Sequence, residues 1–317
     1  MRKDLVIINM KILFMGTPDF ASAVLRRLAD TGHEIVGAVS QPDKPKGRGH
    51  KLMPTDVKKT AQELGIPVYQ PETLKGGAFL GTLDELAPDM IIVAAYGRIL
   101  PGYIIDYPRL GCVNVHASLL PKYRGAAPIQ WSVINGEEKT GVTIMRMDRG
   151  LDTGDIITMA ETRIGEYETA GELFDRLAVM GAELLAGTIE AIADGTAKYK
   201  KQDDALSTYA PMISRETAQI DWTGSASEIS KHICGMNPFP GAETTYDGAP
   251  LKIYEAEKTD AEGKPGEVLG IVKNKGLLVA CGEGGLYLKS VRFAGAKRMN
   301  AEDYARGHEI KKGIILC

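Results

Sequence analysis

The chain has 317 residues, more than one hydrophobic core comfortably fills, so length alone favours two domains. Hydrophobic residues make up 44% and charged residues 25%, an ordinary globular balance that excludes long disordered or fibrous stretches. A formal net charge of -3 excludes a protein that grips nucleic acid by being basic throughout, so any such contact is local.

In chain order, residues before Met10 read as a short extension and the first convincing strand is 11–15. It runs into Gly16-Thr17-Pro18-Asp19, where Thr17 suits a helix cap and Pro18 the first helical position. Phe20, Ala21, Val24, Leu25 and Leu28 recur at helical spacing, and 34–40 reads as a second strand. Strand, helix, strand is the unit that builds a parallel sheet. Residues 41–51 are basic and rich in Pro and Gly, which predicts an irregular loop rather than regular structure. Charge runs are usually solvated surface. This one stands out from an acidic chain and follows a strand's carboxyl end, so Lys44, Lys46, Arg48 and Lys51 are candidates for phosphate contact.

Further strands are expected at 67–70, 89–95, 111–117 and 141–147, with helices near 78–86 and 129–134. The alternation predicts an α/β fold, an open, mostly parallel Rossmann-like sheet with helices on both faces. Thr169 and Glu172 have capping-box spacing, and Leu173, Leu177, Met180, Leu184 and Ile189 continue as an apolar stripe. The expected boundaries are a first domain over 1–193, a polar linker over 194–211 and a second domain over 212–317. In the second, short β-like runs alternate with Gly, Asp and Asn turns, the pattern of a small antiparallel, OB-like β-barrel. A helix near 225–234 would precede or plug it.

Within Val113-Asn114-Val115-His116, the strand period of two puts the valines on one face and Asn114 with His116 on the other. A lone histidine there would more often serve loop backbone. An amide and an imidazole sharing one face at a strand's carboxyl end point instead to a ligand crevice. The glycine-rich loop 147–155 places Asp148, Asp152 and Asp155 after another strand, though such loops are commonly only turns. It lacks the ligand ladder of a calcium loop. G-x-G-x-x-G and the phosphate-gripping P-loop are both missing, which disfavours nicotinamide and nucleotide chemistry. Cys112, Cys234, Cys281 and Cys317 lie far apart, implying reduced thiols, a cytoplasmic setting and no zinc site. No apolar run is long enough for a signal peptide or a membrane span.

The blocks FMGTPDFA, QPDKPKGRGHKLMP, GCVNVHASLLPKYRGAAPIQ, GVTIMRMDRGLDTGD and NPFPG resemble, in order and spacing, the methionyl-tRNA formyltransferase family. The resemblance runs from about Lys11 onward. It implies the formyltransferase fold, 10-formyltetrahydrofolate as a consumed co-substrate and aminoacylated initiator tRNA as acceptor. No metal is required where an amide donor and an imidazole already polarise the formyl oxygen, and a monomer is the default expectation. The resemblance carries the catalytic set onto Asn114, His116 and Asp152, and the folate segment onto Ser118, Leu119, Leu120 and Pro121. The 41–51 loop falls on the element that enters the acceptor arm, with Lys46 and His50 departing from the family pattern. Glycinamide ribonucleotide formyltransferases resemble only the first domain, and sugar-nucleotide formyltransferases usually lack this loop. On this reading Asn114 and His116 stabilise an oxyanion, and Asp152 either orients His116 or accepts the proton the amine sheds. Lys252, Lys273, Lys275, Lys289, Arg292, Lys297 and Arg298 are second-domain candidates for tRNA contact. The competing expectations are formylation of an amino sugar nucleotide, hydrolysis of formyltetrahydrofolate, and a non-catalytic tRNA-binding module.

Overall fold

Ile12 to Met15 are fully buried in β1 (Lys11–Gly16), because a central strand of a parallel sheet is covered on both faces. The computed structural model describes residues 9–46 and 51–317, with backbone alone at Lys46 and Lys51. After β1 come α1 (Asp19–Ala29), β2 (Glu34–Val39), β3 (Lys44–Lys46), β4 (Lys51–Met53), α2 (Asp56–Glu63), β5 (Val68–Tyr69), α3 (Leu80–Leu86), β6 (Met90–Ala94) and α4 (Gly102–Ile105). Then follow β7 (Cys112–His116), β8 (Arg124–Gly125), α5 (Pro128–Ile134), β9 (Lys139–Arg146), β10 (Ile156–Arg163) and α6 (Ala170–Ala193). The strand order is β10-β9-β7-β6-β1-β2-β5. Pairs from β5 through β7 are parallel and β7 with β9 is antiparallel. The chain winds outward from β1 in two directions, so strand order reverses beside it, where open sheets bind ligands.

Helix α6 starts at the expected capping box: Glu172 N–H donates to Thr169 Oγ1 at 3.2 Å, and Thr169 N–H to Glu172 Oε2 at 2.9 Å. Gly181 lets this helix lie close to the sheet, since a Cβ there would sit 2.8 Å from Val115 Cγ1. At the first helix the structure corrects the expected cap. Pro18 occupies the N-cap, and Thr17 Oγ1 donates instead to Tyr96 O at 2.9 Å, a long-range partner no local rule reaches.

The basic stretch is also corrected. It is not irregular throughout, because β3 and β4 pair antiparallel with Lys44 opposite Met53, Pro45 opposite Leu52 and Lys46 opposite Lys51. The base of this ribbon is tied by side chains. Gln70 Nε2 donates to Gln41 O at 2.9 Å and to Asp43 Oδ1 at 2.7 Å, and Lys58 Nζ bonds Asp43 Oδ2 at 2.6 Å. These bonds hold the Asp43 carboxyl below its usual range, the Gln70 contact foremost and Lys58 next.

The chain groups into two units: one of residues up to Ala126, Gly141–Thr162 and Phe174–Tyr209, the other of Ala127–Thr140, Arg163–Leu173 and Ala210–Cys317. The second holds β11 (Tyr209–Ala210) from Ala210 on, α7 (Ala226–Met236), β12 (Ala242–Tyr246), β13 (Ala249–Thr259), β14 (Val268–Val272), β15 (Gly276–Ala280), β16 (Gly285–Phe293), β17 (Met299–Asn300) and α8 (Ala301–Ala305). Its antiparallel sheet runs β12-β13-β16-β15-β14, with β17 beside β16. The last residues bridge the two edges. Val268 N–H donates to Ile314 O at 2.8 Å on the β14 side, and Thr245 N–H to Cys317 O at 2.7 Å on the β12 side. That closure removes the open edges a five-strand path would leave. Leu316, Trp222, Ile229, Ile233, Ile253 and Leu277 share its core, and α7 supplies Ile229 and Ile233 from a capping box of Ser225 and Glu228. Among the described residues no helix is long and apolar enough to cross a membrane.

Candidate active site

Strand β7 is buried along its length, including Asn114 at 9% and His116 at 6% exposure. Buried polar side chains ordinarily find partners. His116 has two. Its Nε2 lies 3.0 Å from the Tyr123 carbonyl oxygen, and its Nδ1 lies 3.8 Å from Asp152 Oδ2. A carbonyl only accepts, so Nε2 carries the proton and, in the neutral ring, Nδ1 is a bare acceptor. Asn114 is different: its amide has no hydrogen-bond partner among the described residues.

Asp152 reaches His116 from the loop between β9 and β10. It sits at φ 53°, in the left-handed region that Asp and Asn tolerate better than most residues. Its Oδ2 accepts from Gly125 N–H at 2.8 Å, which fixes the carboxylate. Gly154 closes the loop on β9, since a Cβ there would stand 1.8 Å from Arg146 O. The other carboxylate near the loop's start, Asp148, is used inside the loop, accepting from Gly150 N–H at 3.0 Å and Thr153 Oγ1 at 2.6 Å. Two acceptors, His116 Nδ1 and Asp152 Oδ2, therefore converge with too long a gap for a direct hydrogen bond. They are disposed to receive one donor with several N–H groups, and an amine or ammonium is such a donor.

The segment after β7 turns under the site. Ser118 Oγ donates to Lys122 O at 2.7 Å, and Thr143 Oγ1 donates to Ser118 O at 2.6 Å while accepting from Leu120 N–H at 3.1 Å. Ser118 and Leu120 are buried; Leu119 and Pro121 are partly open. Thr143, fully buried on β9 opposite His116, is a site-shaping residue that sequence reading passed over. Its only signal was strand alternation. Cys112, on the same strand, is no nucleophile, because burial pushes its thiol up to about 12.

Residues 194–211, expected to be a polar linker, supply further side chains. Gln202 Nε2 donates to the carbonyls of Asp152 and Gly154 at 2.8 and 2.7 Å. Gln202 Oε1 accepts from Arg124, and Tyr123 N–H donates to Thr208 Oγ1 at 2.8 Å. No local pattern marks these residues.

The model of the formyl transferase family matches residues 10–189, and that of the formyl transferase C-terminal domain matches residues 212–309. The methionyl-tRNA formyltransferase of Geobacter metallireducens is 46% identical over 308 residues, covering 97% of this chain and 99% of that one. That of Alkaliphilus oremlandii is 48% identical over 309 residues, covering 97% and 99%. The chain belongs to the methionyl-tRNA formyltransferase family.

Among solved structures, HypX from Aquifex aeolicus in complex with tetrahydrofolic acid superposes with TM-score 0.66 at 16% identity, over 94% of this chain and 47% of that one. The chain thus spans about half the length of that protein. The N-formyltransferase from Helicobacter canadensis, on complex with folinic acid and dTDP-3-aminofucose, gives TM-score 0.66 at 20% identity, over 92% and 100%. At these identities the likeness is one of fold.

Of the basic residues expected to meet tRNA, Lys44 Nζ donates to Gln41 Oε1 at 3.2 Å, and Arg48 lies outside the described residues. Lys252, Lys289 and Arg298 form ion pairs with Glu243, Glu257 and Glu255. Lys275 lies over the Tyr287 ring at 4.8 Å, and Lys273, Arg292 and Lys297 are exposed. Among the described residues no cluster of three or more His, Cys, Asp or Glu side chains gathers to hold a metal.

Proposed function

We propose that the chain transfers the formyl group of 10-formyltetrahydrofolate to the free amino group of methionyl-initiator-tRNA, in the cytoplasm. High identity over nearly the whole length to methionyl-tRNA formyltransferases supports this acceptor over an amino sugar nucleotide, since the sugar-acting structure shares only the fold. The observation that carries the chemistry is the pair of convergent acceptors, His116 Nδ1 and Asp152 Oδ2, beside the unpartnered amide of Asn114.

In this reaction the amine nitrogen bonds to the formyl carbon, the carbonyl becomes a tetrahedral oxyanion, and the bond to folate N10 breaks. The proton shed by the amine ends on N10. Asn114 Nδ2 donates to the oxyanion, the group most in need of a buried donor. His116 Nδ1 takes the amine's proton, with the imidazolium held between the Tyr123 carbonyl and the Asp152 carboxylate. Once protonated at Nδ1, the ring is also a donor toward the oxyanion. The segment Ser118 to Pro121 lines the folate side, through its partly open Leu119 and Pro121. The basic stretch 41–51, through Lys44, Lys46, Arg48 and Lys51, meets the acceptor end by phosphate contact.

The test is to mix the protein with 10-formyltetrahydrofolate and charged initiator tRNA and to look for formylmethionine. Transfer to an amino sugar nucleotide instead, or release of formate without acceptor, would overturn the reading.

A further inference from the structure

The hydrogen bonds to the His116 ring and to the Asp152 carboxylate both come from the short segment 123–125, opposite the segment 152–154. Tyr123 O holds the imidazole, Gly125 N–H holds the Asp152 carboxylate, and Asp152 itself sits in a left-handed conformation that its surroundings must enforce. Gln202 touches both segments at once. Its amide N–H groups reach the carbonyls of Asp152 and Gly154, and its amide oxygen accepts from Arg124 Nε at 3.1 Å and Nη2 at 2.9 Å. Arg124 stands between the two holding residues, and its own N–H donates to Thr208 O at 2.9 Å. One side chain therefore spends its donors on one wall of the site and its acceptor on the other.

We propose that Gln202 is a positioning residue for formyl transfer, setting the distance between Asp152 Oδ2 and His116 Nδ1 without touching substrate. The proposal rests on the function argued above for that pair. Only an amide satisfies this junction. A carboxylate would keep the bonds from Arg124 but would set an acceptor against two carbonyl oxygens, and an alkyl group would satisfy neither wall. A displacement of about 1 Å at a reacting pair is enough to cost about 100-fold in rate.

The experiment compares the wild-type chain with Gln202→Glu and Gln202→Ala. It measures kcat, both KM values, melting temperature and the ring-nitrogen NMR signals of His116, assigned with His116→Gln among the five histidines of the chain. The expected result for Gln202→Glu is a folded protein with both KM values near wild type and kcat lower by about 100-fold. Its Nδ1 signal shifts because Asp152 moves away, while Nε2 keeps its proton. Gln202→Ala loses kcat as well and shows the same Nδ1 shift, so the inference does not depend on one variant folding. A Gln202→Glu protein with wild-type kcat and an unchanged imidazole spectrum overturns it. So does a kcat loss in both variants that merely follows the folded fraction with the spectrum unchanged. If the wild-type chain forms no formylmethionine, the proposed function falls, and the spectra still decide what Gln202 does.

Discussion

His116 Nε2 donates to the backbone carbonyl of Tyr123 at 3.0 Å, so the ring's tautomer is set by the main chain and not by another titrating side chain. The nitrogen left bare, Nδ1, is the one that faces Asp152. Removing the ring or its neighbouring amide separates two contributions. His116→Ala is expected to slow single-turnover transfer by about 10²- to 10⁴-fold, the range for a positioned proton-transfer group. Asn114→Ala is expected to raise the barrier by about 2.7 to 4 kcal/mol, the cost of one oxyanion donor. A near-wild-type chemical step in either variant, at saturating substrates, would remove that residue from the mechanism.

Asp152→Asn tests charge apart from shape. Asn keeps an oxygen for Gly125 N–H and tolerates the left-handed φ of 53°, so thermal unfolding is expected to stay close to wild type. The rate is expected to fall, because the amide no longer balances an imidazolium. Loss of folding in place of loss of rate would assign Asp152 to structure alone.

The basic stretch 41–51 is testable by salt. Replacing Lys44, Lys46, Arg48 and Lys51 with Gln is expected to weaken use of tRNA and to flatten its dependence on ionic strength, the slope falling by about one for each phosphate no longer neutralised. Apparent affinity for the folate is expected to stay unchanged. Identical salt slopes for the two proteins would take this stretch out of tRNA recognition.

At the ribbon's base, Asp43 has a folded pKa below its usual 3.8. A depressed carboxyl stabilises the fold above its unfolded pKa and loses that contribution as pH falls through the folded value. Asp43→Asn is therefore expected to be less stable than wild type at pH 7 and pH 5, with the difference shrinking below about pH 4. Denaturant midpoints at pH 7, 5 and 3 provide the check, and a difference that stays constant down to pH 3 contradicts it.

In the barrel, Leu316 is 2% exposed and lies on the segment that bridges the β14 and β12 edges. Leu316→Ala is expected to destabilise by about 2 to 5 kcal/mol, the range for truncating a buried leucine. Urea unfolding measures it, and a loss below about half a kcal/mol would mean the closing segment is not part of the core.

Much of this was legible from residue order. Alternation in Val113-Asn114-Val115-His116 predicts that amide and imidazole share a face, because strand geometry is local and obligatory. The box at Thr169 and Glu172 predicts the start of α6 for the same reason. The expected cap at Thr17 failed where a local rule met a distant partner, the Tyr96 carbonyl 79 residues away. Pro45 and the neighbouring glycines argued against any strand in the basic stretch, yet a two-strand ribbon needs few ladder bonds and has room for a proline on an edge.

By itself, then, the sequence determined the strand and helix rhythm, the pairing of Asn114 with His116, and, through its resemblance, the family. Only the tertiary structure decided that Tyr123 sets the imidazole tautomer, that Asp152 closes on Nδ1, that Gln202 spans both walls, and that the last residues shut the barrel. The Gln202 bridge depends on hydrogen bonds between residues 50 and 78 apart, to Asp152 and to Arg124, and even the His116–Tyr123 bond spans 7 residues through a turn. Periodicity and capping rules act within a few residues, so contacts at that range are written only in the folded chain.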